Sequence, residues 1–183
     1  MNIGLFGISG VGKSYMTSAI TAENNSLIAV KASDILRAYN KKTQFDGLSS
    51  NIVSENQQSL IEGFAYFREK NCGRNIILEL HNIIETPDGE VEIDDNVFDF
   101  LELDAVCFLY IDPERLLQQR SKDSSRIRQE ISLENLRGLQ ERSLTKFLNK
   151  YKCQGIPYKI LKSSDISGFL RYMKSLGVLF SVD

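Results

Sequence analysis

Short apolar runs alternate along the chain with stretches in which apolar residues recur every three or four positions. A continuous apolar run of this length is typical of a strand that is covered on both faces, as strands in parallel sheets are. Such runs predict five strands: NIGLFGI (2–8), SLIAVK (26–31), NIILEL (75–80), AVCFLYI (105–111) and PYKIL (157–161).

The stretches between these runs predict helices. One covers residues 50–70 and carries an apolar stripe, and further helices are predicted over residues 13–23, 33–42, 132–151 and 165–177. A helix also begins after AVCFLYI, with Asp112 as its cap and Pro113 at its first position. NVFDFLE (96–102) is a candidate short helix, while ETPDGE (85–90) predicts a turn.

This alternation of strands and helices indicates one α/β domain. Its sheet is predicted to be parallel and five-stranded, with helices on both faces and right-handed crossovers. No repeat, low-complexity segment or internal linker interrupts the pattern, so the domain is expected to span residues 1–183.

The sequence GISGVGKS, residues 7–14, joins the first strand to the first helix and matches G-x-x-x-x-G-K-[ST]. Glycines free the backbone so that amide groups at a helix N-terminus can bind phosphate oxygens. In this motif the lysine contacts the terminal phosphates and the serine hydroxyl contacts Mg²⁺. We therefore predict a site for ATP and Mg²⁺ formed by Gly7, Ser9, Gly10, Val11, Gly12, Lys13, Ser14 and Tyr15.

A second metal ligand is expected at the end of a neighbouring strand. Glu79, in NIILEL, could hold Mg²⁺ directly or through water, or polarise an acceptor hydroxyl. Asp112 is the alternative, but its place before Pro113 favours a role as helix cap. The predicted metal ligands are therefore Ser14 and Glu79.

Composition narrows the classes of partner. The formal net charge is -2, so the charge balance does not indicate a nucleic-acid partner. No apolar run approaches the ~20 residues that a membrane helix needs, and no signal peptide is expected. The three cysteines have neither disulfide nor zinc spacing, which favours reduced thiols in a cytoplasmic protein.

Transfer of a phosphoryl group requires cations around both the phosphates and an anionic acceptor. Arg37 follows the second strand, and Arg120, Arg126 and Arg128 lie in or beside the polar stretch before residue 132. These arginines come from separate segments of the chain, as convergence on one site requires.

Three segments, together with the glycine loop, resemble the adenylate kinases, in particular the archaeal type. ASDILRA (32–38) is similar to the TGDMLRA segment of that family, and LELHNIIETPDG (78–89) to DTHxxIxTPxG. PERLLQQR followed by SSRIRQ resembles the helix and short lid of these kinases. The resemblance extends from residue 1 to about residue 161 and implies the three-layer P-loop kinase fold.

The resemblance also implies roles for individual residues. The acceptor region would be residues 33–72, with Asp34, Arg37 and His81 binding substrate, and the lid would be residues 120–131. Lys13, Arg120, Arg126 and Arg128 would act in catalysis.

The sequence departs from the adenylate kinase pattern at three places. Glu79 replaces an aspartate, Ser33 replaces a glycine, and EVEIDDNVFDF (90–100) replaces a proline-rich continuation. The sequence therefore predicts a nucleoside monophosphate kinase, and two alternatives stay open: a kinase of a non-nucleotide metabolite, and a regulatory module that binds or hydrolyses ATP. A GTPase is disfavoured because the N-K-x-D motif is missing. The oligomeric state is not predicted.

Overall fold

A computed structural model describes residues 1–39, 50–123 and 131–178 of the chain; for residues 50–55 it describes the backbone alone. No helix in these ranges is long and apolar enough to cross a bilayer. The end of the predicted helix over residues 33–42, from residue 40 on, lies outside the described residues.

The main sheet has five parallel strands in the order β2-β3-β1-β6-β7, and a separate antiparallel hairpin joins β4 to β5. The strands are β1 (Asn2–Phe6), β2 (Leu27–Lys31), β3 (Asn75–Leu80), β4 (Ile83–Thr86), β5 (Gly89–Glu92), β6 (Ala105–Tyr110) and β7 (Tyr158–Lys162). The helices are α1 (Lys13–Thr21), α2 (Ala32–Tyr39), α3 (Ser50–Lys70), α4 (Asp95–Phe100), α5 (Pro113–Lys122), α6 (Leu133–Tyr151) and α7 (Ile166–Ser175).

The sheet separates two hydrophobic clusters, which explains why its central strands are mainly apolar. Successive side chains of a strand point to opposite faces; in β6, Cys107 and Leu109 belong to one cluster while Val106 and Phe108 belong to the other. The first cluster includes buried residues of α1, α5 and α7, and the second includes residues of α2, α3 and α4. Burying apolar side chains on both faces supplies the main driving force for this three-layer arrangement.

The predicted fold class is confirmed: this is an α/β protein with a five-stranded parallel sheet and helices on both faces. The predicted helix over residues 50–70 has the observed bounds, and Asp112 caps α5 by accepting hydrogen bonds from the amides of Glu114 and Arg115. The turn at ETPDGE is present, but the two short strands that flank it were not predicted. Helix α5 continues through Lys122, so the first residues of the predicted lid are helical.

Parallel pairing brings the ends of β1, β2 and β3 to one edge of the sheet. Lys31 at the end of β2 is in register with Glu79 of β3, and Glu79 is in register with Leu5 of β1. The glycine loop leaves β1 at this edge, and therefore the predicted phosphate-binding segment and the predicted metal ligand lie side by side.

Candidate active site

The glycine loop has backbone conformations that only glycine adopts without strain. Gly10 and Gly12 have φ angles of 83° and 101°, in the left-handed region. Gly12 is also the N-cap of α1, where no side chain caps the helix. The first amide groups of a helix have no partner within it, so the loop presents them, with the positive end of the helix dipole, as an anion site.

Lys13 is buried against this loop. Its ammonium group donates hydrogen bonds to the carbonyl oxygens of Gly7 at 2.5 Å and Ile8 at 3.2 Å. Nδ1 of His81 lies 3.4 Å from the same Nζ atom. A cation is thus held beside the loop, and His81, a predicted substrate ligand, lies next to it.

Glu79 accepts hydrogen bonds from two hydroxyl groups of α1. The Ser14 hydroxyl donates to Oε2 at 2.8 Å, and the Thr17 hydroxyl donates to Oε1 at 2.7 Å. Glu79 as a whole is 6% exposed. The hydroxyl and carboxylate oxygens of this group suit Mg²⁺ as ligands, because proteins often bind Mg²⁺ with one or two carboxylates supplemented by substrate phosphates. Since Asp112 is occupied as a cap, Glu79 is the better placed of the two acids that the sequence offered.

A polar cavity of about 170 Å³ opens beside Ser14 and Glu79. It lies between α1, β2 and the start of α2, and hydroxyl groups of α1 form one wall. Charged residues contribute a cation and two carboxylates to the lining. The described residues that line it are Ser14, Thr17, Ser18, Thr21, Ala29, Val30, Lys31, Asp34 and Glu79.

Arg120 connects α5 to the glycine loop and to the hairpin. Nε and Nη2 donate to the carbonyl oxygen of Ser9 at 3.0 and 2.7 Å. Nη1 and Nη2 each donate to one carboxylate oxygen of Glu85 at 2.8 Å, which makes a bidentate ion pair. The Arg120 side chain is buried and packs on Gly10. If residue 10 had a side chain, its Cβ would lie 3.1 Å from Cγ of Arg120. In this arrangement Arg120 holds the loop in place.

Arg37 is less enclosed than the predicted grip on an acceptor phosphate implies. Its side chain is 55% exposed, and Nη1 forms an ion pair of 2.7 Å with Asp34 in the same helix. Asp34 lines the cavity, whereas Arg37 is not among the described residues that line it. The structure therefore brings Asp34 to the cavity and leaves Arg37 one helical turn away.

Not every predicted site residue can be placed in this picture. Arg126 and Arg128, with the greater part of the predicted lid, lie outside the described residues. Tyr15 is exposed, and the side chain of Val11 is buried in the core.

The residues of the site that were not predicted include Thr17, Lys31 and Glu85. Thr17 follows Lys13 by one helical turn, and that spacing was the available signal. Lys31 could have been found from its place at the end of a strand. No local sequence signal pairs Glu85 with Arg120.

A glycine loop with a buried lysine, set at the edge of a five-stranded parallel sheet, defines a P-loop kinase-like protein. Residues 6–137 match the family model described as AAA domain, which is more than half of the chain, and the protein belongs to this family. Comparison with curated protein sequences gave no match.

Several solved structures have the same fold. Shikimate kinase from Bacteroides thetaiotaomicron matches with a TM-score of 0.63 and 16% identity, covering 97% of this chain and 99% of that one. The tunicamycin resistance protein of Deinococcus radiodurans matches with a TM-score of 0.65 and 12% identity, covering 100% and 98%. A sugar kinase from Janibacter sp. HTCC2649 matches with a TM-score of 0.56 and 14% identity, covering 97% and 94%. None of these matches is specific to the adenylate kinases.

Proposed function

We propose that the protein is an ATP-dependent phosphotransferase that acts on a small molecule bound in the cavity beside Ser14 and Glu79. The observation that carries the proposal is the shared wall: Ser14 belongs both to the phosphate-binding loop and to the cavity lining. An acceptor held there would lie next to the terminal phosphate of a nucleotide on the loop. Positioning two reactants in this way is a large part of what phosphoryl-transfer enzymes contribute.

The loop would bind the phosphates through its backbone amides, and Lys13 would neutralise charge as the phosphoryl group moves. Mg²⁺, held by Ser14 and Glu79, would stabilise negative charge on the phosphates. Asp34 lines the cavity and would accept a hydrogen bond from the hydroxyl group that attacks. No covalent intermediate on the protein is needed. The acceptor oxygen would attack the γ-phosphorus directly, the bond between that phosphorus and the bridging oxygen would break to release ADP, and the hydroxyl proton would pass to the Asp34 carboxylate.

The lining of the cavity favours a hydroxylated metabolite as acceptor. Four hydroxyl groups, two carboxylates and one lysine contribute to it, and none of its described residues is aromatic. Such a surface suits a polyol or a sugar-like ring better than it suits a flat base. Two kinases that share this fold, shikimate kinase and a sugar kinase, are named for non-nucleotide acceptors, and this is consistent with the choice.

A nucleoside monophosphate is the second candidate, and the Asp34–Arg37 ion pair at the edge of the cavity favours it. If Arg37 exchanged Asp34 for a phosphate, it would grip the acceptor as the resemblance to adenylate kinases implies. Bidentate binding of phosphate by arginine is a common recognition mode. Either acceptor is consistent with a cytoplasmic enzyme that draws on the ATP pool.

A coupled assay that measures ADP formation from ATP and Mg²⁺ tests the proposal and separates the candidates. One panel of acceptors contains nucleoside monophosphates and the other contains sugars, polyols and hydroxylated carboxylic acids. We expect stimulation by one or more members of the second panel. Stimulation by monophosphates alone would establish the second candidate. Protein that binds ATP but is stimulated by neither panel would contradict both and favour a regulatory ATP-binding module.

A further inference from the structure

Thr17 makes an unusual contact for a threonine within a helix. A threonine hydroxyl there ordinarily donates to a carbonyl oxygen three or four residues earlier. Thr21, the next threonine of α1, does so by donating to the Thr17 carbonyl at 2.9 Å. The Thr17 hydroxyl instead lies 2.7 Å from Oε1 of Glu79 and 3.3 Å from the Ser14 carbonyl. It carries one hydrogen, and the shorter bond to a charged acceptor is the stronger of the two.

This contact is enclosed. Thr17 is 2% exposed and Glu79 is 6% exposed, so water competes little for the hydrogen bond between them. Ser14 and Thr17 are three residues apart and therefore share one face of α1. Thr17 holds Oε1, while Oε2 contacts Ser14, the hydroxyl that the glycine-loop motif assigns to the metal. Thr17 thus anchors one carboxylate oxygen of Glu79, and the other oxygen contacts Ser14, the second predicted metal ligand.

An anchor has a specific use for a glutamate. A glutamate has one more rotatable bond than an aspartate, and ordering it costs additional side-chain entropy. A fixed hydrogen bond to one carboxylate oxygen restricts that freedom before the metal arrives. Residues that orient a metal ligand in this way commonly change metal affinity by about 10–100-fold when they are removed.

We infer that Thr17 is a positioning residue that sets the Glu79 carboxylate for Mg²⁺ bound together with ATP. The inference rests on the proposed function, since it assumes that Ser14 and Glu79 hold the metal. In this role Thr17 would act through Glu79 and would not itself bind the metal or the phosphates. Its effect should therefore appear in the Mg²⁺ dependence of nucleotide binding rather than in nucleotide binding as such.

Calorimetric titration with a non-hydrolysable ATP analogue, once with Mg²⁺ and once with EDTA, measures this dependence without any turnover. The dissociation constant in EDTA divided by the dissociation constant in Mg²⁺ reports how strongly the metal assists binding. We expect Thr17→Val to reduce this ratio about tenfold or more, with the constant in EDTA unchanged. Thr17→Ser, which keeps the hydroxyl, should restore the wild-type ratio. Ser175→Ala is the control, because Ser175 donates its hydroxyl to the Tyr172 carbonyl of its own helix and does not line the cavity beside Ser14 and Glu79.

The outcomes distinguish a failure of the proposed function from a failure of the inference about Thr17. A wild-type ratio of one would remove Mg²⁺ from the proposed function, and the inference about Thr17 with it. If Mg²⁺ assists binding in the wild type and the ratio is the same in Thr17→Val, the inference about Thr17 is overturned while the proposed function stands. Equal weakening in Mg²⁺ and EDTA would also overturn it, since Thr17 would then support the loop. If Thr17→Val does not fold, Thr17→Ala removes the same hydroxyl and is measured against the same expectations.

Discussion

Lys13 and Arg37 are both cations of the candidate site, but their surroundings differ. Lys13 is buried at the loop, with its ammonium group on two loop carbonyl oxygens. Arg37 is half exposed and paired with Asp34 at the edge of the cavity. Their substitution should therefore affect different reactants.

Replacing each cation by alanine separates these roles. Lys13→Ala should lower phosphoryl transfer about 100–1,000-fold, as loss of one group that stabilises developing charge commonly does. Arg37→Ala should raise the KM for an anionic acceptor about tenfold or more, the effect of losing a hydrogen bond to a charged group. Steady-state kinetics with either substrate varied, together with ATP-analogue binding, measure both. Equal loss of ATP affinity in the two variants would show that Arg37 has been misassigned.

The residues of the candidate site differ in how far the sequence predicts them. Lys13 and Ser14 follow from a local motif, because adjacent residues form the loop and its positions need no knowledge of the fold. Glu79 required one more step, the expectation that parallel strands end at a common edge. Thr17 and Glu85 were missed because their partners lie 62 and 35 residues away in the sequence. Such contacts depend on how helix, strand and hairpin pack.

The β4–β5 hairpin is the element that the sequence predicted least well. Its strands are short, and β5 is largely exposed, so neither carries the apolar run by which the sheet strands were recognised. Ion pairs hold the hairpin and the segment after it to α6, where Arg142 pairs with Glu90 and Lys146 with Glu92 and Asp95. Burial lowers the pKa of Lys146, but the hydrogen bonds to Asp95 and Glu92, together with the negative charges of these two acids, outweigh this and raise the pKa overall. Acidic residues of the segment EVEIDDNVFDF (90–100) are thus paired with basic residues of α6.

Through Glu85 the hairpin also supports Arg120, and this link can be tested. Glu85→Gln removes the charge that pairs with a buried guanidinium, so the free energy of unfolding should fall by about 1–2 kcal/mol. Urea denaturation of the wild type and the variant measures the change. Glu114→Gln is the control: Glu114 is exposed on the same helix as Arg120, and its substitution should change stability by less than about 0.5 kcal/mol. Equal stability of Glu85→Gln and the wild type would show that Ser9 alone suffices to hold Arg120.

At the scale of the whole molecule, the order of the sheet strands was predictable because each is a mainly apolar run and because helices separate these runs along the chain. The identity of the acceptor was not, because the cavity is assembled from α1, β2, α2 and β3, whose side chains meet only after folding. A resemblance read from short segments pointed to nucleotides, while the assembled lining favours a hydroxylated molecule. Sequence patterns thus predicted the scaffold more securely than the substrate.

Ligand binding should stabilise the whole domain, because the loop and cavity are contributed by elements that pack in one core. At 100 times its dissociation constant, a ligand of the folded state adds ~2.7 kcal/mol to stability. For a domain of this size that corresponds to a rise in Tm of about 5–11 °C. We expect this rise for the wild type with Mg²⁺ and a non-hydrolysable ATP analogue, measured by calorimetry. Lys13→Ala at the same ligand concentration should show a much smaller rise, since it removes the cation that we propose contacts the phosphates. A rise as large in Lys13→Ala as in the wild type would mean that the nucleotide binds away from the glycine loop.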